Sequence, residues 1–134
     1  MPVEHVKIST SADRFVVGET IFFKVYCLNE YDQLTDFSKV AMIELVDRKG
    51  NAVMKMRIPL DGGNGHNSFY IPSSFKTGNY TLVGYTKWMK NFGVKTFFRK
   101  EIVIINPYEI PETINKETST NSETVFIAED ISTS

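Results

Sequence analysis

Few residues of this chain carry side chains suited to covalent, acid–base or metal chemistry. Its 134 residues include one cysteine and two histidines. Cys27 has no partner for an internal disulfide, and one thiol cannot build a cysteine-based zinc or iron site. It lies in the strand-like run Ile21–Leu28, where a free thiol packs as a small inert hydrophobe. His5 and His66 lie neither at His-x-x-x-His spacing nor beside a carboxylate cluster, which argues against metal binding and general-base catalysis.

The glycine-rich segment Asp61–His66 is the one stretch whose backbone N–H groups suggest anion binding. Phosphate-binding loops of this kind need a helix after them and a Lys-Ser/Thr pair, whereas here a strand is predicted to follow. Asp61 and Asn64 supply too few oxygens for calcium, which takes roughly six to eight ligands. We therefore interpret the segment as an interstrand loop.

No pattern of nucleophiles or paired acids indicates an enzyme. The sequence has no Gly-x-Ser-x-Gly elbow. Carboxylates near the C-terminus, such as Glu109, lie where the fixed separation required by a glycosidase could not be held. We predict a protein that is not an enzyme and that has no catalytic residues, no cofactor and no metal.

An aromatic-rich hairpin is the most informative surface feature. Alternation places Tyr80 toward the core and leaves Tyr85, with one or more of Trp88, Met89 and Phe92, at an exposed tip. Aromatic residues and methionine are enriched at protein interfaces, so these last four form a predicted interaction surface. A second interpretation of Trp88, in which its ring closes one end of the core, has equal support.

The elements that position these residues are predicted to be strands throughout. Runs rich in Val, Ile, Phe and Tyr alternate with turn clusters, the pattern of an all-β sandwich, and no stretch predicts an amphipathic helix. Residues 11–15 are interpreted as a kink and residues 48–51 as a hairpin turn. In the second strand Ile21, Phe23, Val25 and Cys27 are predicted to face the core and Phe22, Tyr26 and Leu28 to face outward. The seven predicted antiparallel strands are 4–9, 20–28, 39–47, 52–60, a short one through Phe69 and Ile71, 80–89 and 97–105.

Length and composition agree with one soluble domain and a tail. Apolar residues make up 42% and charged residues 23%, with a net charge of -1, so nothing predicts nucleic-acid binding. No apolar run approaches the roughly 20 residues of a membrane helix, so no direct membrane insertion is expected. We predict a sandwich domain over 1–106 and a flexible linker or tail over 107–134, rich in Pro, Ser, Thr, Asn and Glu. Its apolar run Val125–Ala128 is interpreted either as the start of a following domain or as a strand docked on a sheet edge.

Two sequence blocks resemble the macroglobulin (MG) domain of the alpha-2-macroglobulin superfamily. Residues 6–10 followed by Asp13–Lys24, which read DRFVVGETIFFK, are similar to the opening of such domains: Asp-Arg/Lys, an aromatic, a spacer, Gly-Glu and an apolar strand. Thr77–Met89, which reads TGNYTLVGYTKWM, resembles a Gly-x-Tyr-x-Leu-x-Ala-Tyr-Thr-x-Trp-Met run in Bacteroidetes surface proteins. Gly84 stands where that run usually has alanine. The resemblance extends over about residues 4–106.

The resemblance implies a seven-stranded immunoglobulin-like or fibronectin-like sandwich that is one domain of a larger secreted, periplasmic or outer-membrane protein. No apolar region of a signal peptide follows Met1, so the chain is expected to be an excised piece if it comes from the envelope. Tyr80 would then form a tyrosine corner, its hydroxyl tying a connecting loop to the sixth strand. Full relatives trap proteases through a Cys-Gly-Glu-Gln thioester on another domain; this chain lacks that motif, so protease trapping is not assigned to it.

Two functional hypotheses follow. The first is a non-catalytic module that contacts neighbouring domains of its own polypeptide, or another envelope protein, through its ends and the aromatic hairpin. The second is a carbohydrate-binding module in which Tyr85, Trp88 or Tyr26 stacks on sugar rings. Tryptophan fluorescence titrated with polysaccharides separates them.

Overall fold

Residues 3–109 form eight β-strands and two short 3-10 helices in the computed structural model of the protein, which describes that part of the chain. Short turns rich in glycine, asparagine and aspartate separate most strands, as the alternating sequence pattern predicts. The strands are β1 (His5–Thr10), β2 (Arg14–Val16), β3 (Thr20–Leu28), β4 (Val40–Val46), β5 (Ala52–Pro59), β6 (Asn64–Tyr70), β7 (Gly78–Tyr85) and β8 (Phe98–Ile105). The 3-10 helices are Trp88–Phe92 and Val94–Thr96.

The strands form two sheets that enclose one apolar core. One sheet has three strands in the order β1-β3-β6, and the other has five in the order β2-β8-β7-β4-β5. All neighbouring strands are antiparallel except β2 and β8, which run parallel. The predicted all-β sandwich is confirmed, whereas the prediction of seven antiparallel strands is wrong on both the number of strands and the direction of one pair.

The additional strand is β2, in the segment interpreted from sequence as a kink. Its three residues pair with Val103–Ile105 of β8. A bond of 2.9 Å from the Val103 amide to the Asp13 carbonyl and one of 3.0 Å from the Val17 amide to the Ile105 carbonyl extend the pairing. Phe15 is buried beneath it. Three residues are too short to show a period of two, so alternation alone does not distinguish this strand from a bend.

The core consists of the inward residues of both sheets. In β3 the burial of Ile21, Phe23, Val25 and Cys27 confirms the predicted inward face. Leu28 was predicted to face outward but is buried, because the following loop folds back and Leu34 forms a β-bridge with it. The other large, fully buried side chains are Ile43, Leu45, Ile58, Ile71, Leu82, Met89, Ile102 and Ile104.

Strand β7 ends four residues earlier than the sequence predicts. It stops at Tyr85, and the Met89 amide then donates a 3.2 Å hydrogen bond to the Thr86 hydroxyl as the chain turns into a 3-10 helix. Gly93, at φ 91, reverses the chain between the two 3-10 helices. Because this φ strongly favours glycine, Gly93 permits a compact loop in place of the predicted long hairpin.

Strand register decides which loops lie together. Met42 pairs with Tyr85 and Gly84 with Phe98, so the start of β4, the end of β7 and the start of β8 share one end of the sandwich. The β3–β4 loop and the β7–β8 loop therefore lie side by side at this end. The hairpin at 47–51, the β6–β7 loop and the end of β8 lie at the other. Within residues 3–109, no helix is long and apolar enough to cross a membrane.

Candidate functional site

Three aromatic rings form a cluster where the two loops meet. Phe37 comes from the β3–β4 loop, and Trp88 and Phe92 come from the first 3-10 helix. The ring centroids of Phe37 and Trp88 are 5.3 Å apart at an interplanar angle of 75°, and those of Trp88 and Phe92 are 5.5 Å apart at 66°. Both pairs have the edge-to-face geometry that aromatic quadrupoles favour. We call these residues the aromatic cluster and this end of the sandwich the aromatic end.

The aromatic cluster is open to solvent on one side. Phe37 is 48% exposed and Phe92 is 50% exposed, and Trp88 between them is partly buried. Val94, in the same connection, is 62% exposed. Single exposed apolar side chains are ordinary, whereas a contiguous group of large ones is the surface feature that marks interaction sites.

A buried carboxylate ties the aromatic end together from below. Glu4 is 7% exposed, and its Oε1 accepts hydrogen bonds of 2.7 Å from Ser38 Oγ and 2.6 Å from Thr86 Oγ1. Ser38 follows Phe37 in the sequence, and the Thr86 hydroxyl in turn accepts a hydrogen bond from the Met89 amide. One side chain, immediately before β1, thus connects both loops that carry the aromatic cluster.

The Cys27 thiol lies against the same carboxylate. Burial raises the pKa of Cys27 far above its ordinary value, and the hydrogen bond and negative charge of Glu4 raise it further. A protonated thiol is neither a nucleophile nor a metal ligand. Cys27 is a buried core residue, as its sequence setting predicted.

Tyr85 and Met89 lie beneath the aromatic end rather than on its surface. Tyr85 is 7% exposed and Met89 is 1% exposed, so the expectation of an exposed Tyr85 is wrong. The Tyr85 ring stacks on Phe97 at 4.3 Å and its hydroxyl donates to Glu44 Oε2. Burial, followed by that bond to a carboxylate, raises the pKa of Tyr85 to about 12. A buried Tyr85 cannot stack on a sugar ring.

Of the four residues of the predicted interaction surface, Trp88 and Phe92 therefore keep exposed area. Trp88 fits both of its sequence interpretations, since it is half-buried over the end of the core and also part of the exposed aromatic cluster. Phe37 was missed because it lies in a mostly polar loop, 51 residues before Trp88 in the sequence. No local signal could have placed it beside the other two rings.

The opposite end is held by polar bonds. The buried Asn106 side chain donates to the carbonyls of Ser73 at 2.9 Å and Phe75 at 2.8 Å, and its Oδ1 accepts the Tyr108 amide. The Tyr80 hydroxyl donates to the Lys76 carbonyl at 2.6 Å, four residues upstream. This is the geometry of a tyrosine corner. The polar groups of this end mostly satisfy one another, and its rings, Phe75 and Tyr80, stack on each other.

The remaining candidates for chemistry have structural roles or lie apart. Gly63 lies where two loops touch, since a Cβ there would come within 2.7 Å of the Thr35 carbonyl oxygen. Only the first half of the glycine-rich segment, residues 61–63, is the turn between β5 and β6; the interpretation of the whole segment as a loop is wrong, because β6 begins at Asn64 and pairs with β3 from there. His5 pairs with Asp32 at 2.9 Å, and His66 is exposed on β6. Throughout the described range, no three His, Cys, Asp or Glu side chains lie close enough together to hold a metal ion.

Residues 107–134, predicted to be a flexible linker or tail, lie mostly outside the described range. The structure describes Pro107, Tyr108 and Glu109, and Tyr108 is exposed. The Glu109 carboxylate accepts the Thr77 amide beside Asn106. The apolar run Val125–Ala128 lies outside the described residues.

Comparisons with known proteins bear on the fold. No protein-family model and no curated protein matches the sequence. Among solved structures, an alpha-2-macroglobulin of Salmonella matches 81% of this chain at 15% identity and a TM-score of 0.62. A trypsin-activated alpha-2-macroglobulin of Escherichia coli matches 76% at 12% identity and a TM-score of 0.63. The Lin-41 filamin domain matches 75% at 19% identity and a TM-score of 0.52.

The matched region is a small part of the macroglobulins and nearly all of the filamin domain. This chain spans 6% of the Salmonella protein, 7% of the E. coli protein and 92% of the filamin domain. At these identities the similarity concerns the fold alone. The fold is therefore macroglobulin-like, and it occurs as a domain within larger proteins.

Proposed function

We propose that this chain is a non-catalytic structural and interaction module of a larger secreted, periplasmic or outer-membrane bacterial protein. Its aromatic end contacts a neighbouring domain of the same polypeptide or another envelope protein. The observation that carries the proposal is the aromatic cluster, whose rings interlock edge-to-face while Phe37 and Phe92 remain about half exposed.

Burial of the exposed halves of these rings would supply a substantial part of a contact. Full burial of a phenylalanine side chain is worth about 1.5–3 kcal/mol, so covering the exposed half of each ring contributes about 1 kcal/mol. The rings already pack against each other, and Glu4 bonds to Ser38 and Thr86 in the two loops that carry them. Binding therefore costs little side-chain entropy, which is the property of a preorganised hot spot.

The path of the chain supports contact with a neighbour in series. Glu4 lies at the aromatic end, whereas Asn106 and Glu109 lie at the opposite end. A domain that precedes this one in the same polypeptide would thus lie beside the aromatic cluster. Alpha-2-macroglobulins, of which this chain matches 6% and 7%, offer a precedent for such a fold within a long polypeptide.

Site-specific photo-crosslinking in the whole protein, expressed in its own organism, tests the proposal. Phe92 is replaced by p-benzoylphenylalanine, and crosslinked peptides are identified by mass spectrometry after irradiation. We expect crosslinks from position 92 to residues outside 1–134. The matched control is Phe22, which is 61% exposed on the outer face of the three-stranded sheet, and from which we expect few such crosslinks.

Crosslinks from position 92 that are confined to residues 1–109, or no more frequent than those from position 22, would contradict the proposal. The carbohydrate-binding hypothesis is tested on the same protein. Saturable quenching of Trp88 emission by a polysaccharide, retained in Phe22→Ser, would replace the protein-contact proposal.

A further inference from the structure

The loop that carries Trp88 and Phe92 is basic. Residues 86–98 contain no aspartate or glutamate, and Lys87, Lys90 and Lys95 among them are exposed. None of the three forms an ion pair with a carboxylate of residues 3–109. Lys90 lies over the buried Tyr85 ring, with Nζ 5.7 Å from the ring centroid. Three exposed cations thus lie in the same loop as Trp88 and Phe92.

This arrangement defines the chemistry of what binds there. The aromatic cluster requires apolar side chains opposite it, and the surrounding lysines favour carboxylates on either side of them. Of the three acidic residues of the adjacent β3–β4 loop, Glu30 is exposed and the other two lie beside cations of their own. Asp32 pairs with His5, and Asp36 lies 3.8 Å from Lys39. A short segment with an apolar middle and acidic flanks has the complementary pattern.

The same chain contains such a segment. Residues 110–134 have five acidic residues and one lysine, a net charge of -4 from 1 minus 5. Their apolar run Val125–Ala128 lies between Glu123 and the pair Glu129-Asp130. The segment is acidic where the aromatic end is basic and apolar where the aromatic end is apolar.

The length of the intervening chain permits the contact. Glu109 lies at the opposite end of the sandwich, about 26 Å from the aromatic end if the eight residues of β8 rise about 3.3 Å each. Fifteen residues lie between Glu109 and Val125, enough to span about 50 Å when extended. Covalent linkage gives the segment an effective concentration on the order of millimolar at its own domain, so binding within one chain is favoured over binding to a second copy.

We propose that residues Glu123–Asp130 of this chain dock on the aromatic end, with Val125, Phe126 and Ile127 over the aromatic cluster and the flanking carboxylates beside Lys87, Lys90 and Lys95. The inference rests on the proposed function and names the partner of that surface. The docked segment competes with any other protein that uses the aromatic end.

Trp88 is the sole tryptophan of the protein and lies in the proposed contact, so its fluorescence reports on docking directly. Acrylamide quenching of the full-length chain is compared with that of Phe126→Ser. Because removal of the central apolar side chain releases the segment, we expect the quenching constant to rise by about 1.5-fold or more. Ile114→Ser, which changes an apolar residue of the same segment outside 123–130, is the matched control and should leave the constant unchanged.

A charge-reversal pair tests the electrostatic part. Lys87→Glu with Lys95→Glu should raise the quenching constant as Phe126→Ser does, and Lys7→Glu on the three-stranded sheet should not. Adding Glu123→Lys and Glu129→Lys to the Lys87→Glu, Lys95→Glu protein should lower the quenching constant again. That result would support the pairing of these charges. If Trp88 of the wild type becomes better protected from acrylamide as the protein concentration rises, a second copy supplies the segment. That result contradicts docking within one chain.

Equal quenching of wild type and Phe126→Ser at all concentrations overturns this inference. That result leaves the proposed function intact if position 92 still crosslinks to residues outside 1–134. Loss of those crosslinks together with equal quenching contradicts both.

Discussion

The two ends of the sandwich are stabilised by different means. At the opposite end, the buried Asn106 side chain and the Tyr80 hydroxyl bond to loop carbonyls, and the Phe75 and Tyr80 rings stack on each other. At the aromatic end, one carboxylate holds two loops together from below while Phe37 and Phe92 remain half exposed above it. The first arrangement pairs buried polar groups with one another inside the domain. The second leaves apolar area whose burial requires another surface.

This contrast shows where the exposed apolar area lies on a fold whose described residues hold no group of three His, Cys, Asp or Glu side chains close enough to bind a metal ion. Both ends are built from loops on the same two sheets, so the sheets do not decide which end makes contacts. The difference lies in the loops, because their side chains either bond and pack with one another or remain exposed to solvent. Four changes, taken from the largest expected effect on stability to the smallest, test the contrast.

Asn106→Ala should have the largest effect, and it acts at the opposite end. The substitution leaves the carbonyls of Ser73 and Phe75 without their donor in a buried site, which should cost about 2–4 kcal/mol of unfolding free energy. Urea unfolding followed by circular dichroism measures it, with the exposed Asn91→Ala as control. Native Trp88 emission should not change. A cost below about 0.5 kcal/mol would show that this end does not depend on internal bonds.

Glu4→Ala should cost less, about 1–3 kcal/mol, and it acts at the aromatic end. It leaves the Ser38 and Thr86 hydroxyls without their acceptor, and Thr86 positions the Met89 amide next to Trp88. We therefore expect a shift in native Trp88 emission as well as a lower urea midpoint. Glu4→Gln, which retains an acceptor oxygen, is the matched control and should preserve the emission. Unchanged emission in Glu4→Ala would mean that the carboxylate does not hold the rings.

Gly84→Ala tests the close approach of the two sheets just below the aromatic end. A Cβ at Gly84 would lie 2.6 Å from Ile8 Cδ1 and 3.1 Å from Val6 Cγ1, so Ile8 must move. We expect a loss of about 1 kcal/mol, since the clashing atom is the end of a side chain that can partly adjust. In an Ile8→Val background, which removes Cδ1, the same substitution should cost measurably less. Equal costs in both backgrounds would exclude Ile8 as the reason that glycine stands here.

Tyr85→Phe should have the smallest effect, visible only at high pH. The Tyr85 pKa is about 12 in the folded protein against an ordinary value of 10.0, so the folded state favours the protonated phenol. This contribution is fully present below pH 10 and is lost as the pH rises toward 12. Between pH 9 and 11 the unfolding free energy of wild type should therefore fall more steeply than that of Tyr85→Phe. Parallel curves would show that Tyr85 titrates normally, as an exposed tyrosine would.

Much of the fold follows from local pattern. Alternation identified β3 with its observed bounds and the inward set Ile21, Phe23, Val25 and Cys27, because a strand exposes successive side chains to opposite faces. It failed where that period has too few residues, as in β2. It failed again after Tyr85, where β7 ends although aromatic and apolar residues continue along the chain.

The sequence alone determined the all-β class, most strand positions and the aromatic composition of the β7–β8 connection, since each depends on neighbours along the chain. Only the tertiary structure decided that Tyr85 and Met89 are buried, that Phe37 joins Trp88 and Phe92, and that Glu4 bonds Thr86, 82 residues away. The physical reason is that these contacts depend on strand order and register. Those are set by which sheet faces can be buried together, and no local period records them.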